Sequence, residues 1–381
     1  MKRTVKLSLI GALVAIWVTV FSACDFLGGE TASVETPKKG GIALVYAPVS
    51  VSDPLFNLPA LEGVKEYADG TDRSYKTYMP DDSSSAKRTA ALEAALAGGA
   101  DTVVCYGPAF RDVIDAVAST KPGVKFIVLD EYAAPKVMNV AAVPFRTEQA
   151  GYAAGYAAVK EGYRNLGFMG SDSGASVALY GWGFIQGANA AAAALGLTRS
   201  GAGAVSIKFL YFGSGVSAAS VRETAVGWFT ETTAPAELIF AAGGSIYESV
   251  AAAASDVNAL NAGAAKKTVI ASDTDRSGAS DAILTSAVKG VKRATAYMLK
   301  VRYESEFPGG KLVPALGAVI DGTIGLSQSK WSFKNFTAAE YDGIIRDMKS
   351  NNINVRSDWQ TFKPAQLSTL DSPNVTVIYR V

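Results

Sequence analysis

The chain contains no histidine. That excludes Ser-His-Asp and Cys-His catalysis and every His-ligated zinc site. Cysteine is nearly absent: only Cys24 and Cys105 occur in 381 residues, and they are not expected to pair. Excess charge is nearly absent too, with 36 basic against 35 acidic residues and a net charge of +1. The basic residues are scattered rather than striped, so no nucleic acid partner is expected. No G-x-G-x-x-G follows the first apolar run, which argues against a dinucleotide enzyme. Asp273 and Asp275 of "ASDTD" alone do not make a metal-holding carboxylate cluster, so no metal, no cofactor and no enzyme activity are expected.

What the chain does have is apolar residues, 49% against 19% charged. A large core is within reach, and the length suffices for two domains.

The amino-terminal stretch "MKRTVKLSLIGALVAIWVTVFSACDFLGGE" reads as an export signal. Lys2, Arg3 and Lys6 form a positive n-region, and Leu7 to Val20 an apolar stretch too short and wrongly flanked for a membrane span. "FSAC" then sets small residues before Cys24. This resembles a bacterial lipobox, with Phe21 where leucine is usual, and implies a signal over 1–23 and an acyl anchor on Cys24. The other reading is a plain signal peptide followed by a chance cysteine. Acyl chains would hold the protein at a membrane surface, outside the cytoplasm. Residues 24–39 are small and polar, without apolar periodicity, and read as a tether.

Beyond the tether, short apolar runs alternate with helical patterns. Expected strands are 42–48, 74–80, 101–107, 125–131 and 139–145, with helices near 58–68, 85–98 and 109–119. A second set of strands is expected at 165–171, 207–214, 237–244 and 267–273, with helices at 178–195, 217–231 and 245–260. This spacing argues for an α/β fold with parallel sheets covered on both faces. Two doubly wound lobes with a central cleft follow, the plan of a type I periplasmic binding protein. The expected boundaries are 40–146 plus 275–308 for the first lobe and 147–274 plus 309–381 for the second. Thr337 and Glu340 form a capping box before a further helix whose apolar face carries Ile344, Ile345 and Met348, expected to pack on the second lobe. Cys105, inside the apolar run "TVVCY", reads as a buried, reduced thiol.

In such sheets ligands bind beyond the carboxyl ends of the strands. Phe56 and Asn57 of "DPLFN" fall there. Phe56 reads either as a stacking face for a ring-shaped ligand or as a core residue. Asn57 reads as an amide able to donate and accept.

Eight motifs in order resemble the BMP family of basic membrane lipoproteins, the PnrA-like nucleoside-binding lipoproteins of ABC importers. They are "DPLFN", "FIVLDE", "VPFRTEQAGYAAGYAA", "YGWGFIQGA", "IFAAGGSIYESVAAAA", "ASDTD", "ILTSAVKGV" and "DGTIGLS". The resemblance implies a nucleoside held between the lobes and delivered to an ABC permease. It implies that Phe56 stacks on the base and Asn57 bonds to it, while Asp130, Asp273 and Lys289 reach polar atoms of base or sugar. Gly243 and Gly244 would admit the ligand close to the backbone. Read from their residue types, Asp130 and Asp273 also suit helix caps, and Lys289 a surface position. Glu148 and Tyr152 are expected to organise the hinge. Two departures stand out. Ala47 falls where the family has an acid, and Gly215 where it has a second aromatic; Tyr46, Phe212, Tyr180 and Trp182 are candidates to replace that ring. The rival readings are a binder of a sugar or signalling molecule, and a surface lipoprotein that binds a macromolecule without transport.

Overall fold

A computed structural model of the protein describes residues 39–47, 54–213, 216–358 and 372–380. The expected leader, the Cys24 anchor, most of the tether, and Gly215 lie outside the described residues.

In chain order the elements are β1 Lys39–Val45, α1 Pro54–Thr71, β2 Arg73–Tyr78, α2 Ser85–Ala97, β3 Ala100–Tyr106, α3 Arg111–Ser119, β4 Lys125–Leu129 and β5 Val140–Val143. Then come α4 Thr147–Glu161, β6 Asn165–Gly170, α5 Ala175–Ala194, β7 Val205–Tyr211, α6 Ala218–Thr230, β8 Leu238–Ala242, α7 Ile246–Leu260 and β9 Thr268–Asp273. The chain continues with β10 Ile283–Lys289, α8 Val291–Glu304, β11 Lys311–Leu312, β12 Ile324–Leu326, α9 Ala338–Lys349 and β13 Val375–Tyr379.

The strands form two sheets. The first has the order β11-β5-β4-β3-β1-β2, the second β12-β10-β9-β8-β6-β7-β13. All pairings are parallel except β12 on β10. The α/β architecture of two doubly wound lobes is thus the one expected. Central strands read as near-continuous apolar runs because helices cover both of their faces. Val103, Val104 and Cys105 of β3 are fully buried, and Cys105 is a free thiol whose burial pushes its pKa far up.

Local signals explain where helices begin and end. Ser84 caps α2 by accepting from the Lys87 N–H, and Gly98 follows its last residue. Thr337 and Glu340 form the expected capping box on α9. Tyr341 of that helix donates its hydroxyl to the Leu326 carbonyl and accepts from the Leu326 N–H, which docks α9 on the second sheet's edge strand β12.

The expected lobe boundaries need correction at two strands. Ile283–Lys289 was placed with the first lobe but pairs with β9 in the second sheet. Lys311–Leu312 was placed with the second lobe but pairs with β5 in the first. The chain therefore passes between the sheets after β5, after β10 and after β11. At the first passage Arg146 Nε donates to Glu148 Oε1 at 2.7 Å, and Arg146 Nη2 to the Val355 carbonyl at 3.2 Å. Gln149 Oε1 accepts from the Ala318 N–H of the third passage at 2.8 Å. The Gln149–Ala318 bond ties the first crossing to the third.

Helix α4 packs on α5 through four glycines. A Cβ on Gly151, Gly155, Gly183 or Gly187 would strike backbone carbonyls of the facing helix, those of Tyr180, Phe184, Glu148 and Tyr152 respectively. The two helices meet backbone to backbone.

Candidate functional site

Each sheet reverses its strand order at one point: between β1 and β3 in the first, between β6 and β8 in the second. Crevices open at such points beyond the carboxyl ends of the strands. One cavity of about 670 Å³ takes its wall from both. Ala47 and Gly107 come from the first point, Ser171 and Gly243 from the second. The volume is within the usual range for small-molecule sites, roughly 300–1,000 Å³.

Six of the seven expected ligand residues line this cavity: Phe56, Asp130, Gly243, Gly244, Asp273 and Lys289. At its centre Lys289, the last residue of β10, reaches across to the first lobe. Its Nζ lies 2.6 Å from Asp130 Oδ2, 2.7 Å from Asp273 Oδ1 and 3.1 Å from Ser176 Oγ. An ammonium has three N–H donors, and three acceptors surround this one. The three charged side chains are at most 6% exposed. Burial alone disfavours the ammonium, but Asp130 and Asp273 outweigh it and hold Lys289 well above the ordinary lysine value. Burial raises the Asp130 carboxyl, with Lys289 opposing.

The backbone aims both acids. Asp130 and Asp273 follow or end their strands with φ of +62° and +73°. This left-handed conformation costs roughly 1–2 kcal/mol for most L-residues and is most tolerated by Asp and Asn. The remaining oxygens are partly free. The Tyr132 hydroxyl lies 3.2 Å from Asp130 Oδ1 and 3.0 Å from the Phe145 carbonyl, and it has one proton to give. Ser272 donates to Asp273 Oδ2 at 2.9 Å.

Gly243 has φ +97°, and a Cβ there would strike Ser171 Oγ. Its N–H donates to Ser272 Oγ at 3.0 Å. Gly244, at φ +58°, has open space where a Cβ would point. Phe56 is 8% exposed and stacks on Tyr106, centroids 4.4 Å apart and planes 6° from parallel. It is both a core residue and part of the cavity wall, so the two expectations for it are compatible.

Asn57 is the exception. Its Oδ1 accepts from the Ala47 N–H and its Nδ2 donates to the Ala47 carbonyl, both at 3.1 Å. The amide pairs with the Ala47 backbone and does not line the cavity. Tyr46, Tyr180, Trp182 and Phe212 do not line it either, so none supplies a replacement ring there. The sequence reading missed Ser176, Tyr132, Arg111 and Glu131. Only Glu131, adjoining Asp130 in "FIVLDE", carried a signal that could have found it. Among the described residues, no group of three or more Cys, Asp or Glu is placed to hold a metal ion.

Residues 42–206 match the family model described as Bmp: ABC transporter substrate-binding protein PnrA-like. The match bears out the resemblance carried by the first four motifs; the other four lie beyond it. No curated protein sequence matches the chain. Among solved structures, a solute-binding protein of an ABC transporter system from Aeropyrum pernix K1 is 19% identical, with a TM-score of 0.61 over 85% of this chain and 89% of that one. The corresponding protein from Conexibacter woesei DSM 14684 is 19% identical, with a TM-score of 0.61 over 84% and 99%. A transcriptional activator of the comK gene from Bacillus halodurans is 19% identical, with a TM-score of 0.60 over 82% and 97%. At this identity the likeness establishes the two-lobed fold.

Proposed function

We propose that this chain, with the Bmp pattern over residues 42–206, is a lipid-anchored substrate-binding protein of an ABC importer and encloses a nucleoside between its lobes. The observation that carries the reading is the convergence of Asp130, Asp273, Lys289 and Phe56 on one cavity at both switch points. The Lys289 donors are engaged, so the free valences of this cluster are carboxylate lone pairs. They suit a ligand that presents hydroxyl donors, as a ribose diol does. Phe56, backed by Tyr106, offers a flat apolar face for a base, a contact worth about 0.5–1.5 kcal/mol beyond its area. The wall carries two basic side chains, Arg111 and Lys289, against four acidic ones, Asp130, Glu131, Asp172 and Asp273. That balance disfavours a phosphate and favours a neutral nucleoside over a nucleotide. Closing the lobes would bury the solute and form the surface that a permease recognises. Cys24 would anchor the chain outside the cytoplasm. No covalent chemistry is assigned to the site.

The test is calorimetry with inosine, guanosine, adenosine and uridine, beside their 5′-monophosphates, and mass spectrometry of whatever the denatured protein releases. Heat with at least one nucleoside, and weaker binding of its monophosphate, is expected. Heat with ribose or a hexose and none with any nucleoside would replace this reading by a sugar binder, since acids beside an aromatic face suit sugars as well. Cys24→Ala should leave the protein unanchored or its leader uncleaved. A variant that loses its leader and stays on the membrane would remove Cys24 as the anchor.

A further inference from the structure

Strands β4 and β5 are joined by residues 130–139 without a helix. Among the described residues, α3 and this loop lie over that part of the sheet. Beneath the loop lies a second cavity of about 620 Å³. Its floor is Val128, Val140 and Ala142, and its roof the small residues Ala133 and Ala134 with Pro135.

Hydrogen bonds hold the loop off the sheet. Both oxygens of Asp115 lie within reach of the Lys136 N–H, at 3.1 and 3.2 Å. Asn139 Nδ2 donates among the carbonyls of Ala118, Lys121 and Val124 at 2.9–3.1 Å. At the other end Glu131 Oε1 accepts from the Ala133 N–H at 2.7 Å and from Arg111 Nη1 at 3.0 Å. A cavity framed this way is built into the loop rather than left by loose packing.

The cavity adjoins the cleft. Pro108, Arg111, Glu131 and Ala133 belong to the walls of both. Glu131 is 5% exposed, and while Oε1 takes two donors, Oε2 is buried with no hydrogen-bond partner. An unpartnered buried carboxylate oxygen is costly, and native structures pair such groups almost always. Glu131 belongs to the walls of both cavities, so a donor carried by a bound solute would supply the missing partner.

We propose that this second cavity is a subsite of the cleft, and that the protein's solute carries an arm with an apolar stem and an ammonium or hydroxyl donor that reaches Glu131 Oε2. The stem lies against Val128, Val140 and Ala142. The inference rests on the nucleoside reading for the ring that enters the cleft, and adds the substituent that leaves it.

The probes are adenosine, adenosine with an aminobutyl arm on the exocyclic amine or on the 5′ oxygen, and the same compounds with plain butyl arms. Each is titrated into wild type, Glu131→Gln and Ala134→Trp, with melting recorded for all three. Ala134 is exposed on the cavity's roof, so the tryptophan can block entry without a core change. One aminobutyl compound should bind about tenfold or more tighter than its butyl counterpart, the effect of one charge-assisted hydrogen bond. Both variants should abolish that gain. Equal affinity of amine and butyl arms, with adenosine itself bound, overturns the subsite, as does a gain that survives both folded variants. If adenosine gives no heat, the nucleoside reading is decided by the other nucleosides, and the arm is tested without the ring. Aminobutanol alone then tests the cavity by ligand-detected magnetisation transfer. Transfer seen in wild type and lost in both variants supports the subsite; no transfer in wild type, or transfer that persists in both, overturns it.

Discussion

Lys289 Nζ and Asp130 Oδ2 meet at 2.6 Å although Lys289 ends a strand of the second sheet and Asp130 follows a strand of the first. The bond joins the two lobes through the middle of the cleft, and Asp273 holds the same ammonium from the second lobe's side. The lysine neutralises one of two carboxylates that would otherwise repel each other in a dry site. It also fixes their orientation toward whatever enters.

Lys289→Met should therefore be strongly destabilising. It leaves two buried acids with no counter-charge, and breaking a buried ion pair from one side costs about 3–5 kcal/mol. Adding Asp130→Asn and Asp273→Asn to Lys289→Met should recover much of the loss. Lys289 is held above the ordinary lysine value of 10.5, so its contribution is full below that value and is lost only as pH rises through the higher folded one. The cost should be flat across neutral pH. Denaturant unfolding of the single and triple variants measures both points; a single variant as stable as wild type would refute the ion-pair argument.

A pH dependence of the same sense, but in a lower pH window, is expected at Glu148 beside the first crossing. Burial raises the Glu148 carboxyl above its ordinary 4.5, and Arg146 only partly offsets this. The folded state thus holds the proton more tightly than the unfolded one. Stability from this group is present below 4.5 and is lost as pH rises through the folded value. Glutamine does not titrate. Stability measured from about pH 4 to about pH 7 should show Glu148→Gln gaining on wild type as pH rises. A difference that shrinks or stays constant would contradict the assignment.

Much of the fold was legible because parallel strands buried on both faces are continuous apolar runs. The elements overlooked lack that pattern. In β10, "ILTSAVK", Thr285 and Ser286 are buried and interrupt the run, so it did not read as a strand. Helix α4 is buried on nearly every side, Thr147, Glu148 and Gln149 included, which removes the amphipathic period. At the site, motif order singled out Asp130, Asp273 and Lys289 one by one as candidates, and all three line the cavity. That they bond to each other was not legible, because Lys289 and Asp130 lie 159 residues apart and only the tertiary fold brings them together. The bonding of Asn57 was not legible for a related reason. An amide near a cleft can serve a ligand or the backbone, and only the geometry shows that Ala47 takes it.

The α4–α5 contact yields a paired prediction. Gly183→Ala would drive a methyl into the Glu148 carbonyl across the interface. Backbone on both sides leaves little room to relax, so a loss of about 1–3 kcal/mol is expected. Gly70, on an exposed turn of α1, has nothing within 4 Å of a new Cβ. There alanine only reduces the entropy lost on folding and should stabilise by about 0.5–1 kcal/mol. Opposite shifts in melting temperature are the expected result, and two upward shifts would show that helix propensity rather than close packing governs both.

Phe56 separates stacking from packing most directly. One face of its ring lies on Tyr106 and the residue also forms part of the cavity wall. Phe56→Ala removes both contacts and should cost about 3–5 kcal/mol, so a loss of binding in that variant would be ambiguous. Phe56→Leu keeps much of the buried volume but deletes the aromatic face, and a swap between large apolar side chains is expected to cost less, about 1.5 kcal/mol or below. If the ring stacks on a base, the leucine variant should bind a nucleoside about three- to tenfold more weakly, the equivalent of the 0.5–1.5 kcal/mol of an aromatic pair. Its melting temperature should fall by much less than that of Phe56→Ala. Titration and melting on the same preparations decide the matter. Nucleoside affinity unchanged in Phe56→Leu would make Phe56 a packing partner of Tyr106 alone and would move the stacking face of the cleft elsewhere.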